Sequence, residues 1–200
     1  MKIKPLVCEM AKAYIYDDIA GYSDEKVNSL MKELPKWRHE KALLIRHPQV
    51  RKENVLSFLL LRRVLLKEYG IDSEIKFSYS KHGKPFLADY PAIFFNISHC
   101  REGVACVVGN SPVGIDIERR GRFNKKLALY VLSDNEYKNV SSSDDIDLEF
   151  TILWTKKEAV LKLLGIGVGN DMKSVLREQS NYNFTIYVDN DYVCCVAEIK

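Results

Sequence analysis

Apolar and polar residues alternate in a strand-like rhythm over Leu6–Tyr16, with an interruption at Met10–Lys12. A helical region follows, divided by Pro48: Leu34–Arg46 reads as one helix and Val50–Tyr69 as a second. Gly70 stands where a helix favours a left-handed stop. The run Val55–Leu66 is apolar enough for a central core helix, and Arg62 and Arg63 break it well short of a membrane span. Short strands are predicted over Ile75–Tyr79, Ile93–Ile97, Val104–Val108 and Val113–Ile117, parted in places by a Lys81–Pro85 loop and a Gly109–Pro112 turn. The pattern turns helical again from Phe123. Ser133 and Glu136 form a capping box, Ser141–Asp145 is a surface loop, and Leu148–Leu164 is a long amphipathic helix. A flexible Gly165–Asn170 loop and a hairpin of Phe184–Val188 with Tyr192–Ile199, turning at Asp189–Asp191, complete the chain. Strands and helices thus recur in two similar runs, an α+β arrangement of two lobes joined near Asn110–Val113 without a residue-level repeat.

Composition changes this picture little. A chain of 200 residues can bury a core without staples. Cys8, Cys100, Cys106, Cys194 and Cys195 show no C-x-x-C spacing, which argues against a disulfide framework or structural zinc and fits a reducing compartment. No signal-like or membrane-spanning run is present, so a soluble cytoplasmic protein is expected. Charge is more telling. Residues 1–112 carry 18 Lys/Arg against 13 Asp/Glu, whereas residues 113–200 carry 12 against 14. Such asymmetry fits phosphates held by one half and a metal by the other, and it fits uneven surface charge with no role. The net charge of +3 is too small for a nucleic-acid-binding face.

Candidate chemistry lies in four short stretches. In Gly114-Ile115-Asp116-Ile117-Glu118, strand alternation sends Asp116 and Glu118 to one face and the isoleucines to the core. Neighbouring carboxylates repel unless a cation or basic partner lies between them. The pair fits a metal site, and equally a solvated face neutralised by Arg119 and Arg120. In Trp154–Lys162, Glu158 and Lys162 share a helix face, a spacing also common for surface ion pairs, and Trp154 reads as core. Magnesium is usually held by a few carboxylates plus phosphate oxygens and water. Asp116, Glu118 and Glu158 could supply the protein's share, with Lys157 and Lys162 meeting the remaining phosphate charge. In Phe95-Asn96-Ile97-Ser98-His99, Ser98 and His99 face opposite ways, so His99 cannot readily be the base for Ser98. Both suit a phosphate, although a lone His at a strand end is commonly structural. Lys81-His82-Gly83-Lys84-Pro85 offers two cations and a glycine, matches no P-loop, and could be an ordinary basic turn.

Taken in order, His82-Gly83-Lys84-Pro85, Phe95–His99, Gly114–Glu118 and Trp154-x-x-Lys157-Glu158-x-x-x-Lys162 resemble the Sfp-type 4′-phosphopantetheinyl transferases, over roughly Pro35–Lys162. The resemblance implies a pseudodimer of two similar α/β lobes, each a small antiparallel sheet packed on a long helix. Residues 1–110 would carry the nucleotide and phosphate contacts, and 111–200 the magnesium carboxylates, catalytic helix and carrier docking. Asp116, Glu118 and Glu158 would be the metal ligands, with Glu158 also the base. Lys162 would contact the pyrophosphate, and Gly83, Lys84 and Pro85 would line the adenine site of coenzyme A. Ser98 and His99 would meet its phosphates. The family's basic residues for the 3′-phosphate align poorly here with Arg38, Lys41, Arg51 and Lys52, and Arg51 is the choice among them. A C-terminal extension seen in some members is expected to be missing.

The implied reaction moves the phosphopantetheine arm of coenzyme A onto a serine of an apo acyl or peptidyl carrier protein, in a monomer that uses Mg²⁺ and binds neither membrane nor nucleic acid. Arg119–Lys126 is basic and partly apolar, and serves either as a docking surface for an acidic carrier or as a solvated linker. Two rivals are a non-catalytic coenzyme A or nucleotide binder and a magnesium-dependent phosphohydrolase.

Overall fold

The computed structural model describes residues 1–167 and 172–200, so part of the predicted Gly165–Asn170 loop lies outside the described residues. A four-stranded antiparallel sheet runs β1 (Lys4–Val7), β2 (Lys12–Tyr16), β6 (Val104–Gly109), β5 (Phe94–His99). A three-stranded antiparallel sheet runs β7 (Val113–Arg119), β9 (Tyr192–Ile199), β8 (Tyr182–Val188). A small hairpin joins β3 (Phe77–Tyr79) to β4 (Pro85–Leu87). The helices are α1 (Asp24–Met31), α2 (Lys36–Leu43), α3 (Pro48–Tyr69), α4 (Lys125–Val131), α5 (Asp134–Ser141) and α6 (Ile146–Leu164). Among the described residues no helix is long and apolar enough to cross a membrane.

The predicted long helices have the expected ends. Pro48 occupies the first turn of α3, where its missing N–H costs nothing, and Gly70 closes it at φ 68°. Ser133 and Glu136 make the full capping box of α5. Two elements went unrecognised in the sequence. The helix α1 has Val27, Leu30 and Met31 on one face but is only eight residues long, too short a run for its period to stand out. The strand β4 is three residues long and begins inside the stretch read as a loop.

Alternation along the strands stacks the elements in layers. One face of the four-stranded sheet, with Tyr14, Tyr16, Phe95, Val104, Cys106 and Val108, packs with Phe58, Leu61 and Leu65 of α3. Its other face, with Ala13, Ile15, Ala105 and Val107, meets Ile115, Ile117, Cys194 and Val196 of the three-stranded sheet. The outer face of that sheet packs through Cys195 and Ala197 on Ala159 and Val160 of α6. The order is helix, sheet, sheet, helix. A carboxylate ties the sheets together at one end: Glu198 of β9 accepts backbone N–H groups of Glu9 (3.3 Å), Met10 (3.1 Å) and Ala11 (2.7 Å) in the β1–β2 turn.

Gly114 sits on the α6 face of β7, paired with Ala197. A Cβ there would lie 2.0 Å from the Ala159 carbonyl oxygen and 2.5 Å from the Leu163 nitrogen. Both are backbone atoms, so no side-chain rotation relieves the clash. Gly114→Ala should therefore force α6 off the sheet and destabilise the fold by about 3 kcal/mol or more. Urea unfolding of the variant checks this, and an unchanged midpoint would contradict it.

Candidate active site

Close packing at Gly114 brings one face of α6 over the polar face of β7. Trp154, Glu158 and Lys162, at successive helical turns, lie beside Asp116 and Glu118. The free edge of β7 meets β5, where Asn96 Oδ1 accepts Ile115 N–H at 3.0 Å. That buried amide holds the two sheets in register. It also places Ser98, on the same face of β5, against Asp116. The sequence signal for Asn96 is a polar residue between Phe95 and Ile97 on a strand with an inward face, and its role emerges only with the second sheet in place.

The centre is a three-way hydrogen-bonded cluster. Ser98 Oγ donates to Asp116 Oδ1 at 2.8 Å, and Lys162 Nζ reaches Ser98 Oγ at 2.8 Å and Asp116 Oδ1 at 2.6 Å. Asp116 is only 3% exposed, which excludes the solvated strand face allowed by its sequence. Its second oxygen, Oδ2, is buried with no hydrogen-bond partner. Glu158 is buried too and makes no hydrogen bond among the described residues. Burial, then repulsion from Asp116, pushes its carboxyl up to about 7 against the pull of Lys162. Glu118 is likewise raised, by burial first and then by Asp116.

Glu118 is handled differently from its neighbours. Arg122, not Arg119 or Arg120, forms its ion pair, through Oε2. Trp154 Nε1 donates to Oε1 at 3.1 Å. Trp154 therefore carries a polar task besides packing. Among the described residues no three carboxylate, imidazole or thiol groups converge tightly enough to hold a metal as they stand. The donor set nonetheless fits a hard cation: all its members are oxygens, one buried oxygen is orphaned, and mutual repulsion leaves the group short of positive charge.

The remaining predicted residues fall at different places. Lys157 does not join the cluster. It is fully buried on another side of α6, where Nζ meets the carbonyls of Val131 (3.0 Å) and Met172 (2.7 Å) and Glu136 Oε2 (2.8 Å), so it pins α4 and α5 to the helix. Its phosphate role is corrected to a structural one. An apolar helix face gives no sign in sequence of which lysine turns inward. His99 faces α3, with Nδ1 3.0 Å from Glu53 Oε2, and Gln49 Nε2 supports Glu53 Oε1 at 2.8 Å. Arg51 donates through Nε and Nη2 to the Ile45 carbonyl at 2.9 and 2.7 Å, which braces the α2–α3 turn. Lys84 Nζ bonds the carbonyls of Val113 (3.2 Å) and Leu163 (2.9 Å), fastening the β3–β4 turn to β7 and to the C-terminus of α6. Burial lowers its ammonium to about 8.

A cavity of about 200 Å³ lies beside the cluster, lined by His82, Gly83, Lys84, Pro85, Asn96 and Lys162 together with Gly165 and its neighbours. Gly83, at φ 82°, shapes the turn that forms its wall. A larger one, about 540 Å³, opens between α5, α6 and the 173–179 segment and shares no residue with the cluster. The smaller cavity reaches the cluster through Lys162, whose ammonium is bonded to Asp116.

A family model described as the 4′-phosphopantetheinyl transferase superfamily matches residues 112–197, the stretch holding β7, α6 and most of β9. 4′-Phosphopantetheinyl transferase Sfp of Bacillus subtilis (strain 168) is 31% identical over 155 residues, 76% of this chain and 69% of that protein. 4′-Phosphopantetheinyl transferase gsp of Aneurinibacillus migulanus is 36% identical over 141 residues, 68% of this chain and 58% of that protein. An L-aminoadipate-semialdehyde dehydrogenase-phosphopantetheinyl transferase of Candida glabrata is 30% identical over 126 residues, 56% of this chain and 49% of that protein.

The raised carboxyl of Glu158 carries a stability signature. The folded state holds its proton to about 7 while the unfolded chain releases it near 4.5, so stability falls as pH rises between those values. Glu158→Gln removes that loss. Without added metal its melting temperature should exceed the wild type's at pH 8, and the difference should shrink at pH 5; a gap independent of pH would contradict the assignment.

Proposed function

Since the chain belongs to the 4′-phosphopantetheinyl transferase superfamily, we propose that the cluster between β5, β7 and α6 holds the pyrophosphate of coenzyme A. The protein is a transferase that moves the 4′-phosphopantetheine arm of coenzyme A to a serine of an apo carrier protein and releases adenosine 3′,5′-bisphosphate. Proposed here are the residues that do so. The observation carrying the assignment is the orphaned Asp116 Oδ2 beside the unpartnered Glu158, with the Lys162 ammonium within reach.

Asp116, Glu158 and Glu118 would form the oxygen set that holds magnesium, whose positive charge would offset the charge developing on the leaving phosphate. Lys162 already bridges Ser98 and Asp116, so its ammonium is fixed before substrate arrives and can hold a pyrophosphate oxygen without reorganising. Ser98 and His99 flank the nucleotide phosphates from opposite faces of β5. Gly83, Lys84 and Pro85 line the adenine cavity through the turn, because the Lys84 ammonium is held by two carbonyls. The carrier serine oxygen attacks the β-phosphorus. The bond from that phosphorus to the bridging oxygen breaks, and that oxygen leaves with the nucleotide. Glu158 takes the serine proton, a task suited to a carboxyl raised to about 7.

This reading takes residues 1–110 and 111–200 as two similar lobes, each an antiparallel sheet on a long helix (α3 and α6). It takes the enzyme as a cytoplasmic monomer, and five free cysteines support a reducing compartment. The acidic carrier docks beside the cleft on the basic turn and α4, where Leu129 and Tyr130 are exposed near Lys125 and Lys126. Arg120 and Arg122 are held by acidic partners of this chain, so among the described residues the basic side chains left to meet the carrier there are Arg119, Lys125 and Lys126.

Mass spectrometry of an apo carrier incubated with coenzyme A, Mg²⁺ and this enzyme should show the added arm, and Glu158→Ala should slow the reaction at least about 100-fold. An unmodified carrier, across several carriers, would favour mere binding, and release of nucleotide without carrier would favour hydrolysis. Charge reversal at Lys125 and Lys126 should raise the carrier KM about tenfold and leave coenzyme A binding unchanged; an unaltered KM removes this docking surface.

A further inference from the structure

Arg122 occupies a position that none of these roles explains. Gly121, at φ 82°, turns the chain back after β7. Asp147, in the first turn of α6, fixes that turn by accepting Gly121 N–H at 2.6 Å and Phe123 N–H at 3.1 Å. Arg120 adds an ion pair to Asp145 at 2.5 Å and a backbone bond to Asp191 O at 2.8 Å. This clamp delivers the Arg122 guanidinium onto Glu118 Oε2 and over the Trp154 ring, 5.7 Å from its centroid. With Trp154 Nε1 on Oε1, both oxygens of Glu118 are engaged. A protein cation thus stands at the one carboxylate of the three that is not fully buried.

We propose that Arg122 is a positioning residue that competes with the divalent cation for Glu118 and thereby sets the metal affinity of the site. The proposal rests on the magnesium reading above. A guanidinium cannot release its charge by losing a proton, so it stays a competitor at every working pH. It and a divalent ion repel when both contact one carboxylate. The Arg122 side chain is 43% exposed, so it can swing from Glu118 into solvent, and the exchange needs no opening of the core. The ring of Trp154 gives the guanidinium a shelf beside the site to which it can return.

The test follows Mn²⁺, which favours the same oxygen ligands, by electron paramagnetic resonance of the free ion titrated into the full chain without coenzyme A or carrier. Arg122→Ala should tighten the Mn²⁺ Kd roughly tenfold, and Arg122→Lys should fall between it and the wild type. In a Glu118→Gln background the same change should bring little gain. An unchanged or weaker Kd for Arg122→Ala overturns the proposal, and so does an equal gain in the Glu118→Gln background, which would mark a general charge effect. Arg122→Gln replaces Arg122→Ala if the latter loses its cooperative melt. Asp116→Asn and Glu158→Gln separate the two levels. If both retain wild-type Mn²⁺ affinity, the magnesium reading fails and this proposal with it. If both lose it while Arg122→Ala matches the wild type, only the role of Arg122 fails.

Discussion

The site depends on how closely α6 approaches β7. With no Cβ at Gly114, the helix backbone at Ala159 and Leu163 rests directly on the strand. Everything polar is then set by geometry from that contact. Glu158 and Lys162 flank the touching residues on α6, Asp116 and Glu118 follow Gly114 at alternate positions on β7, and the pleat and the helical turn meet in one patch. Lys84 holds the same contact from the side through the carbonyls of Val113 and Leu163. A helix resting a side chain's width farther out would leave Lys162 unable to bridge Ser98 and Asp116.

Such proximity creates an electrostatic deficit. Three carboxylates share space with Lys162 and Arg122, and the imbalance surfaces as a raised carboxyl at Glu158 and a bare oxygen on Asp116. In a purely structural cluster those groups would be paired or replaced, because an unsatisfied buried oxygen costs about 1–3 kcal/mol. Tight packing on the hydrophobic faces of β9 and α6 sustains the arrangement. The stability lost at the site and the chemistry proposed for it have the same origin.

Much of this was legible in the sequence where local physics decides. Caps and stops marked α3 and α5, short apolar runs marked β6 and β9, alternation marked β7, and motif order pointed to the carboxylates and Lys162 of the proposed site. What stayed hidden was direction in space. Lys157 and Lys162 are equally polar on paper, yet one points among Val131, Glu136 and Met172 and the other at Asp116. Arg119 and Arg120 were nearer neighbours of the acidic strand than Arg122, but a glycine turn clamped by Asp147 selected the more distant one. That two donors of Arg51 serve the Ile45 carbonyl at the α2–α3 turn was likewise invisible in the sequence. Gly114 did carry a readable signal, since glycine inside a strand often marks a close backbone approach.

The carboxylate of Glu198 has a bearing on how the chain reaches this structure. It receives three amides from a turn that lies up to 189 positions away, and β2 pairs with β6 across some ninety residues. The first hairpin therefore cannot acquire its final surroundings until distant segments exist and have collapsed upon it. Folding of this kind is slow and all-or-none, because loop-closure entropy must be met before the distant contacts return anything. While the protein is being made, β1 and β2 wait with open edges, the state in which strands are most prone to mispair.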